Sequence, residues 1–331
     1  MSNDLSQDQS DSSTLSNKVK NLIWEGIRSG EFAPGEKIPS ERELCDRFGV
    51  SRITVRSALA SLAHKGVLRR RAGSGTFVNE NRLRTGTIAF LRCQHGEHTH
   101  EIRGDFVYSE VLEGIQSELL ESGIHLIFSY IREKGEDSKR LLENLLYKTD
   151  GLILGEMRSE EFYQQVLSQH TPFVLINPEF SNYIADTVDY DNLAGAVRAT
   201  EYMISLGHRK IAFVNGRMPT RHAVERLNGY RLALEKHQIS FSPDLVAGET
   251  NWQSETGYTA AINLLKRDPA ITAIFAANDA LAIGAIKGVR QVGFRVPEDV
   301  SVLGFDDMII AMHSEPALTT MRVDRHAMGR T

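Results

Sequence analysis

From Leu15 onward the residues Leu15, Val19, Leu22, Ile23 and Ile27 recur at the helical period and share one face, until Ser29-Gly30 stops the run. Pro34-Gly35 marks a turn. A second helix is predicted from Ser40, which forms a capping box with Glu43, to Phe48, with Gly49 ending it. A third begins after Ser51 as N-cap, turns Val55, Leu59 and Leu62 inward and stops at Gly66. Residues 67–71 and 76–78 read as two short strands around Ala72-Gly73-Ser74-Gly75, a hairpin. Residues 1–14 are polar, have little to bury and read as a disordered tail. The pattern therefore predicts a small α+β domain over 15–79, followed by a polar linker at 80–86.

Beyond the linker the pattern changes. Apolar runs at 87–91, 125–131, 151–154, 172–176, 210–214, 273–277 and 300–305 are bounded by turns, and amphipathic stretches such as 111–120, 193–206 and 223–234 lie between them. Strands alternating with helices predict parallel βαβ units, hence an α/β body of doubly wound sheets over 87–331. So many strands exceed one such sheet, and a split into two lobes near residue 190 is expected. Residues 324–331 read as the first turns of a helix folding back on the sheet, and a truncated C-terminus is expected.

Charge sharpens this division. Residues 15–86 carry 14 Lys and Arg against 7 Asp and Glu, whereas residues 87–331 carry 24 against 33, so a basic module sits on an acidic body. That asymmetry suggests a nucleic-acid-binding head on a body with another task. The composition, 41% hydrophobic and 24% charged, is that of a soluble globular chain, without a membrane-length apolar run or a signal-peptide layout. Two cysteines, Cys45 and Cys93, make no disulfide framework and fit a reducing cytoplasm.

Candidate chemistry falls in two places. In the head, Ser51, Arg52, Ile53, Thr54 and Arg56 are predicted to face away from the apolar side of the third helix. Arginine matches guanine O6 and N7, threonine matches a base edge or the thymine methyl, and the helix N-terminus suits phosphate. Arg42 can clamp a phosphate, and Arg69-Arg70-Arg71 lead into a tip where Gly73 allows close approach to a groove. In the body, Asn278-Asp279 and Asp306-Asp307 follow strands, Trp252 lies between a strand and a helix, and Arg226 sits one turn into a helix. Amide, carboxylate, guanidinium and indole at strand ends suit a polyol, whose hydroxyls take the polar groups and whose C–H faces stack on the ring. The competing structural reading makes Asp279 and Asp307 helix caps, Trp252 core and Arg226 a surface ion-pair partner. The loop holding Cys93, His95, His98 and His100 brings metal-ligand residue types close together but gives no tetrahedral template, so neither a metal nor a cofactor is expected.

Two resemblances follow. The segments Ile38-Pro39-Ser40-Glu41-Arg42-Glu43-Leu44, Phe48-Gly49-Val50-Ser51-Arg52-Ile53-Thr54-Val55-Arg56 and Gly73-Ser74-Gly75-Thr76-Phe77-Val78 resemble, in order and spacing, the GntR-family winged helix-turn-helix. The resemblance implies that Arg42, Arg52, Thr54 and Arg56 contact DNA and that Gly73 sits at the wing. The segments 207–213, 226–230, 274–279 and 296–307 resemble the LacI/GalR effector domain, whose two-lobed fold is similar to that of periplasmic sugar-binding proteins. That likeness implies ligand contacts by Arg226, Trp252, Asn278 and Asp306, with His222 one turn before Arg226 and Asn177 after the 172–176 strand. The His-rich loop after the first body strand is longer than that family's.

A GntR-type head on a LacI/GalR-type body resembles the arabinose-responsive repressors. The resemblance implies a cytoplasmic transcription regulator. It would bind a palindromic double-stranded operator as a homodimer and respond to a small sugar such as a pentose. Neither a sugar-acting enzyme nor a sugar carrier is favoured. No nucleophile–base pair, P-loop or metal triad falls at a strand end, and no export signal is present.

Overall fold

The structure, a computed structural model, describes residues 4–79, 85–94, 106–169 and 171–331. The head opens with α1 (Asp4–Arg28), a helix that includes residues 4–14, where the sequence pattern predicts a disordered tail. Val19, Ile23 and Ile27 are buried, but Leu15 and Leu22 remain 44% and 47% exposed, so the buried stripe is narrower than the pattern. Helix α2 (Glu41–Phe48) carries the expected capping box, with Glu43 N donating to Ser40 Oγ and Ser40 N donating to the Glu43 carboxylate at 2.7 Å. Gly49 closes it with φ +65°, a conformation glycine adopts without strain. Helix α3 (Arg52–His64) starts from Ser51, and β1 (Leu68–Arg71) pairs antiparallel with β2 (Gly75–Val78), Leu68 opposite Val78 and Arg71 opposite Gly75. Ile23, Ile38, Leu44, Val55, Leu59, Leu62 and Val78 fill the small core.

The body repeats one motif twice. Its first half contains β3 (Thr87–Gln94), α4 (Phe106–Glu121), β4 (His125–Arg132), α5 (Glu136–Leu146), β5 (Gly151–Gly155), α6 (Glu160–Leu167), β6 (Phe173–Ile176) and β7 (Thr187–Val188). Its second contains α7 (Asn192–Ser205), β8 (Ile211–Asn215), α8 (Arg221–Lys236), β9 (Val246–Gly248), α9 (Ser254–Arg267), β10 (Ala273–Ala276), α10 (Asp279–Gln291), β11 (Ser301–Asp306), α11 (Ile309–Met312), β12 (Thr319–Arg322) and α12 (Arg325–Arg330). The sheets are ordered β4-β3-β5-β6-β7 and β12-β11-β10-β8-β9. Counted within each sheet, both are the doubly wound order 2-1-3-4-5, and the paired strands of the second run parallel. In such a sheet the chain reverses direction between its first and third strands, here β8 and β10, and the crevice beyond their carboxyl ends is where ligands bind.

The seven predicted body strands are all present. Packing divides the chain at 175/176 rather than near 190, and α4 up to Glu118 belongs with Ile176–Thr331. The cause is α12, which lies on α4 so closely that a Cβ at Gly114 would meet the His326 carbonyl and one at Gly329 the Val111 carbonyl. The core of this second unit centres on Phe213, Phe275 and Tyr230, whose hydroxyl donates to the Ile211 carbonyl at 2.8 Å.

Candidate nucleic-acid interface and ligand site

On the head, Ser51, Arg52, Ile53 and Arg56 form an exposed strip at the N-terminal end of α3, with Ile53 78% exposed. Thr54 does not belong to it. At the third helical position its side chain is 5% exposed, and its hydroxyl meets Ser51 Oγ at 2.8 Å while its N–H donates to the same oxygen. Capping geometry thus draws Thr54 inward, against the expectation that it faces outward. Glu41, which the sequence reading passed over, accepts from Arg52 Nε at 2.9 Å and from Arg56 at 3.2 Å, holding the two guanidinium groups side by side. Those bonds, Arg56 first, keep the Glu41 carboxyl below its ordinary pKa. Arg42 is exposed on α2. At the hairpin tip Gly73 has φ +72° with open space where a Cβ would stand, and Arg71 lies over the Phe77 ring, 4.9 Å from its centroid.

The second constellation is built around Arg226, which is 2% exposed. One turn into α8, its guanidinium reaches beneath the β8/β10 switch point. Nε donates to Asn192 Oδ1 at 2.8 Å, Nη2 to the Tyr190 hydroxyl at 3.1 Å, and Nη1 to the Ala277 carbonyl at the end of β10. The Asp306 carboxylate stands 3.6 Å from it and 3.5 Å from Arg325, whose Nη1 also donates to the Asp306 carbonyl at 2.7 Å. The ring centroid of Phe305 lies 4.0 Å from the guanidinium carbon, with Trp252 at 5.5 Å and Tyr190 at 5.6 Å. Arg226 is therefore a buried hub, not a surface ion-pair partner.

The neighbouring groups have separate causes. Asn177 has left-handed φ of +55° and donates from Nδ2 to the Tyr190 hydroxyl at 3.1 Å, while its buried Oδ1 has no hydrogen-bond partner. His222 is 7% exposed and stacks on Tyr190, centroids 6.0 Å apart. Asn278 caps α10 through Leu281 N and tethers the Trp252 carbonyl at 3.1 Å, so it also fixes the loop that carries the indole. The Trp252 ring covers Gly216, where a Cβ would come within 2.3 Å of it; only glycine admits this approach. Asp279 is not a cap. Its carboxylate accepts from Met308 N at 2.7 Å and from the Thr320 hydroxyl, and burial pushes it up to about 7 against those bonds. On the outer side Arg221 pairs with Asp189 and with Glu225 at 2.9 Å, and Glu225 accepts from Asn192 Nδ2.

The structure thus brings Asn177, His222, Arg226, Trp252, Asn278 and Asp306 to one place and adds Tyr190, Asn192 and Arg325. A cavity of ≈ 220 Å³ lined by Met203, His208, Pro297 and Leu318 lies toward the opposite, amino ends of the strands and takes no part in this site. His95, His98 and His100 lie outside the described residues. Cys93 is buried, which raises its thiol pKa. Among the described residues no group of three His, Cys, Asp or Glu side chains is placed to hold a metal ion, and no helix is long and apolar enough to cross a membrane.

Residues 15–78 match the family model of bacterial regulatory proteins, gntR family, and residues 200–331 that of a periplasmic binding protein-like domain. Over 328 residues the chain is 30% identical to the arabinose metabolism transcriptional repressor of Geobacillus stearothermophilus, covering 94% of this chain and 87% of that one. The chain belongs to this repressor family. Among solved structures, a CelR–cellobiose complex superposes with a TM-score of 0.66 at 29% identity, over 85% of this chain and 82% of that one. The lac repressor dimer bound to operator and anti-inducer superposes at 0.61 with 25% identity, over 74% and 82%. This family member is accordingly a ligand-responsive, DNA-binding transcription regulator: the winged head supplies the DNA-reading surface and the two-sheet body the effector fold.

Proposed function

We propose that this repressor controls carbohydrate-utilisation genes by releasing or gaining a palindromic operator when a pentose, L-arabinose in the first instance, enters the Arg226 pocket. The observation that carries the reading is the donor set of the Arg226 cluster at the switch point. A buried guanidinium, a phenol, a carboxylate and an amide with an unpartnered oxygen converge beside an indole face, a combination that takes hydroxyls on one side and C–H groups on the other. The name of the Geobacillus relative supports arabinose within that class. Asn177, His222, Arg226, Trp252, Asn278 and Asp306 hold the sugar, and Tyr190 orients Arg226. On the head, Arg52, Ile53 and Arg56 read bases, Arg42 and the Ser51 end of α3 hold phosphates, and Gly73 lets the wing enter the minor groove. The chain acts in the cytoplasm, where its operator is, and binds its sugar without turning it over.

A homodimer fits this role, because a palindrome is read by two heads related by a two-fold axis. Support comes from α11, which exposes Ile309, Ile310 and Met312 by 66%, 48% and 75% within a single turn. The test is selection of duplexes from a random DNA library on the full chain, repeated with L-arabinose and a panel of other pentoses and hexoses. The expected result is a palindrome whose affinity L-arabinose changes about 5–150-fold, the usual scale of such coupling. Enrichment of no palindrome, or of one that no sugar affects, would overturn the reading, and so would consumption of the sugar.

A further inference from the structure

We propose that the turn between α5 and β5, residues 147–150, is the element through which the effector body grips the head and passes ligand state to it. This rests on the regulator reading above and adds the coupling site. Tyr147, at the C-terminal end of α5, is 6% exposed and packs within the hydrophobic core of the head. Its ring lies 4.9 Å from that of Trp24 on α1, and Lys65, at the end of α3, sets its ammonium 3.6 Å from the ring centroid. Lys20 approaches the same ring at 5.8 Å. An ammonium held over a partly desolvated aromatic face is a directional contact, and burial lowers the Lys65 pKa accordingly.

Three residues further on, Asp150 holds the end of the linker. Its Oδ1 accepts from Thr85 N at 2.6 Å and from the Thr85 hydroxyl at 3.1 Å, its Oδ2 accepts from Gly86 N at 2.8 Å, and its own N–H donates to the Thr87 carbonyl at 2.7 Å. One tight turn therefore fixes both the last helix of the helix-turn-helix and the chain that leaves the head. The turn feeds directly into β5, whose far end carries Glu156, paired with Arg92 at 3.2 Å. That is the carboxyl end of the first sheet, where a doubly wound sheet meets its ligand. A displacement of β5 reaches α3 through a single ring.

The test uses the full chain, its selected operator and L-arabinose. In Tyr147→Ala the ratio of operator affinities with and without L-arabinose should fall to within about twofold of unity. The sugar's own affinity measured without DNA should stay within about twofold, and Tyr147→Phe should keep the wild-type ratio. Lys65→Ala, on the head side, should lower the ratio less, and it serves as the second variant if Tyr147→Ala does not fold. An unchanged ratio in Tyr147→Ala, or in Lys65→Ala should that variant stand in, overturns the proposal. A wild-type chain that ignores every sugar overturns the regulator reading instead. The contact has its own readout, since Trp24 is the sole tryptophan left in Trp252→Phe. In that background Tyr147→Ala should shift Trp24 emission to the red and raise its quenching by iodide, and unchanged emission and quenching would refute the docking itself.

Discussion

Tyr190 illustrates how one hydroxyl can organise a site. It accepts from Arg226 and from Asn177, so removing it frees a buried guanidinium donor and a buried amide donor together. Unsatisfied buried donors cost more than the bond they lose, about 1–3 kcal/mol here. Tyr190→Phe should therefore weaken sugar binding about 10–100-fold by calorimetry while operator affinity without sugar stays unchanged. Asp279 makes a pH prediction. Folded, it keeps its proton up to about pH 7; unfolded, it loses it near 3.8, so between these values the folded state binds more protons. Stability must then fall as pH rises from about 4 to 7, by an amount of order ~2–4 kcal/mol, and Asp279→Asn should flatten that slope in urea titrations. Arg226, Trp252, Asn278 and Asp306 were legible in the sequence because each stands beside a recognisable strand or helix end. Tyr190 and Arg325 were not, because they act through partners 36 and 19 residues away that no local pattern marks. Thr54 was misread for the opposite reason: a purely local bond to Ser51 turned it inward.

Among the elements, the central strands β3, β5, β8, β10 and β11 were visible because both faces are covered, which leaves continuous apolar runs, while the edge strand β4, only partly buried, was visible through its eight-residue length. The missed ones, β7, β9 and β12, are two to four residues long and only partly buried, so no run or alternation betrays them. In the head the helix boundaries followed from Ser40, Gly49 and Ser51, since capping chemistry is written in single residues. What that reading could not show is the clamp across α2 and α3. Glu41 occupies Arg52 and Arg56, and to bind DNA they must exchange its carboxylate for base edges or phosphates. Glu41→Gln should therefore strengthen non-specific DNA binding and steepen its salt dependence, whereas Arg52→Ala should cost ~1–3 kcal/mol on the selected operator and relax preference at one base position. Quantitative binding of operator and scrambled duplexes at several salt concentrations separates the two effects. Equal losses on both duplexes in Arg52→Ala would assign Arg52 to the phosphates.

For the whole molecule, the homodimer proposed above turns on how two heads would be held at a fixed spacing. One head touching one half-site supplies little affinity; two heads on a common body bind the second half-site at a high effective concentration, worth a factor of 10²–10⁴. In the proposed dimer the apolar residues exposed on α11 form the seam; they lie on the second unit, not on the head, so charge placed there is expected to act on assembly rather than on the DNA-reading surface. Met312→Asp should yield a monomer by sedimentation at micromolar concentration, with operator affinity at least about 100-fold weaker and binding to a single half-site unchanged. Sugar affinity measured without DNA should stay within about threefold, because the Arg226 hub is built from α8, β10 and β11 of the same chain. Linkage then adds a constraint that no single-site account can satisfy. If L-arabinose changes operator affinity by some factor, operator must change L-arabinose affinity by the same factor, and whatever breaking the dimer does to one factor it must do equally to the other. A monomeric Met312→Asp chain that still shows the full factor on a half-site would place the response within one protomer, along β5 and Tyr147, and would leave the dimer the role of affinity alone.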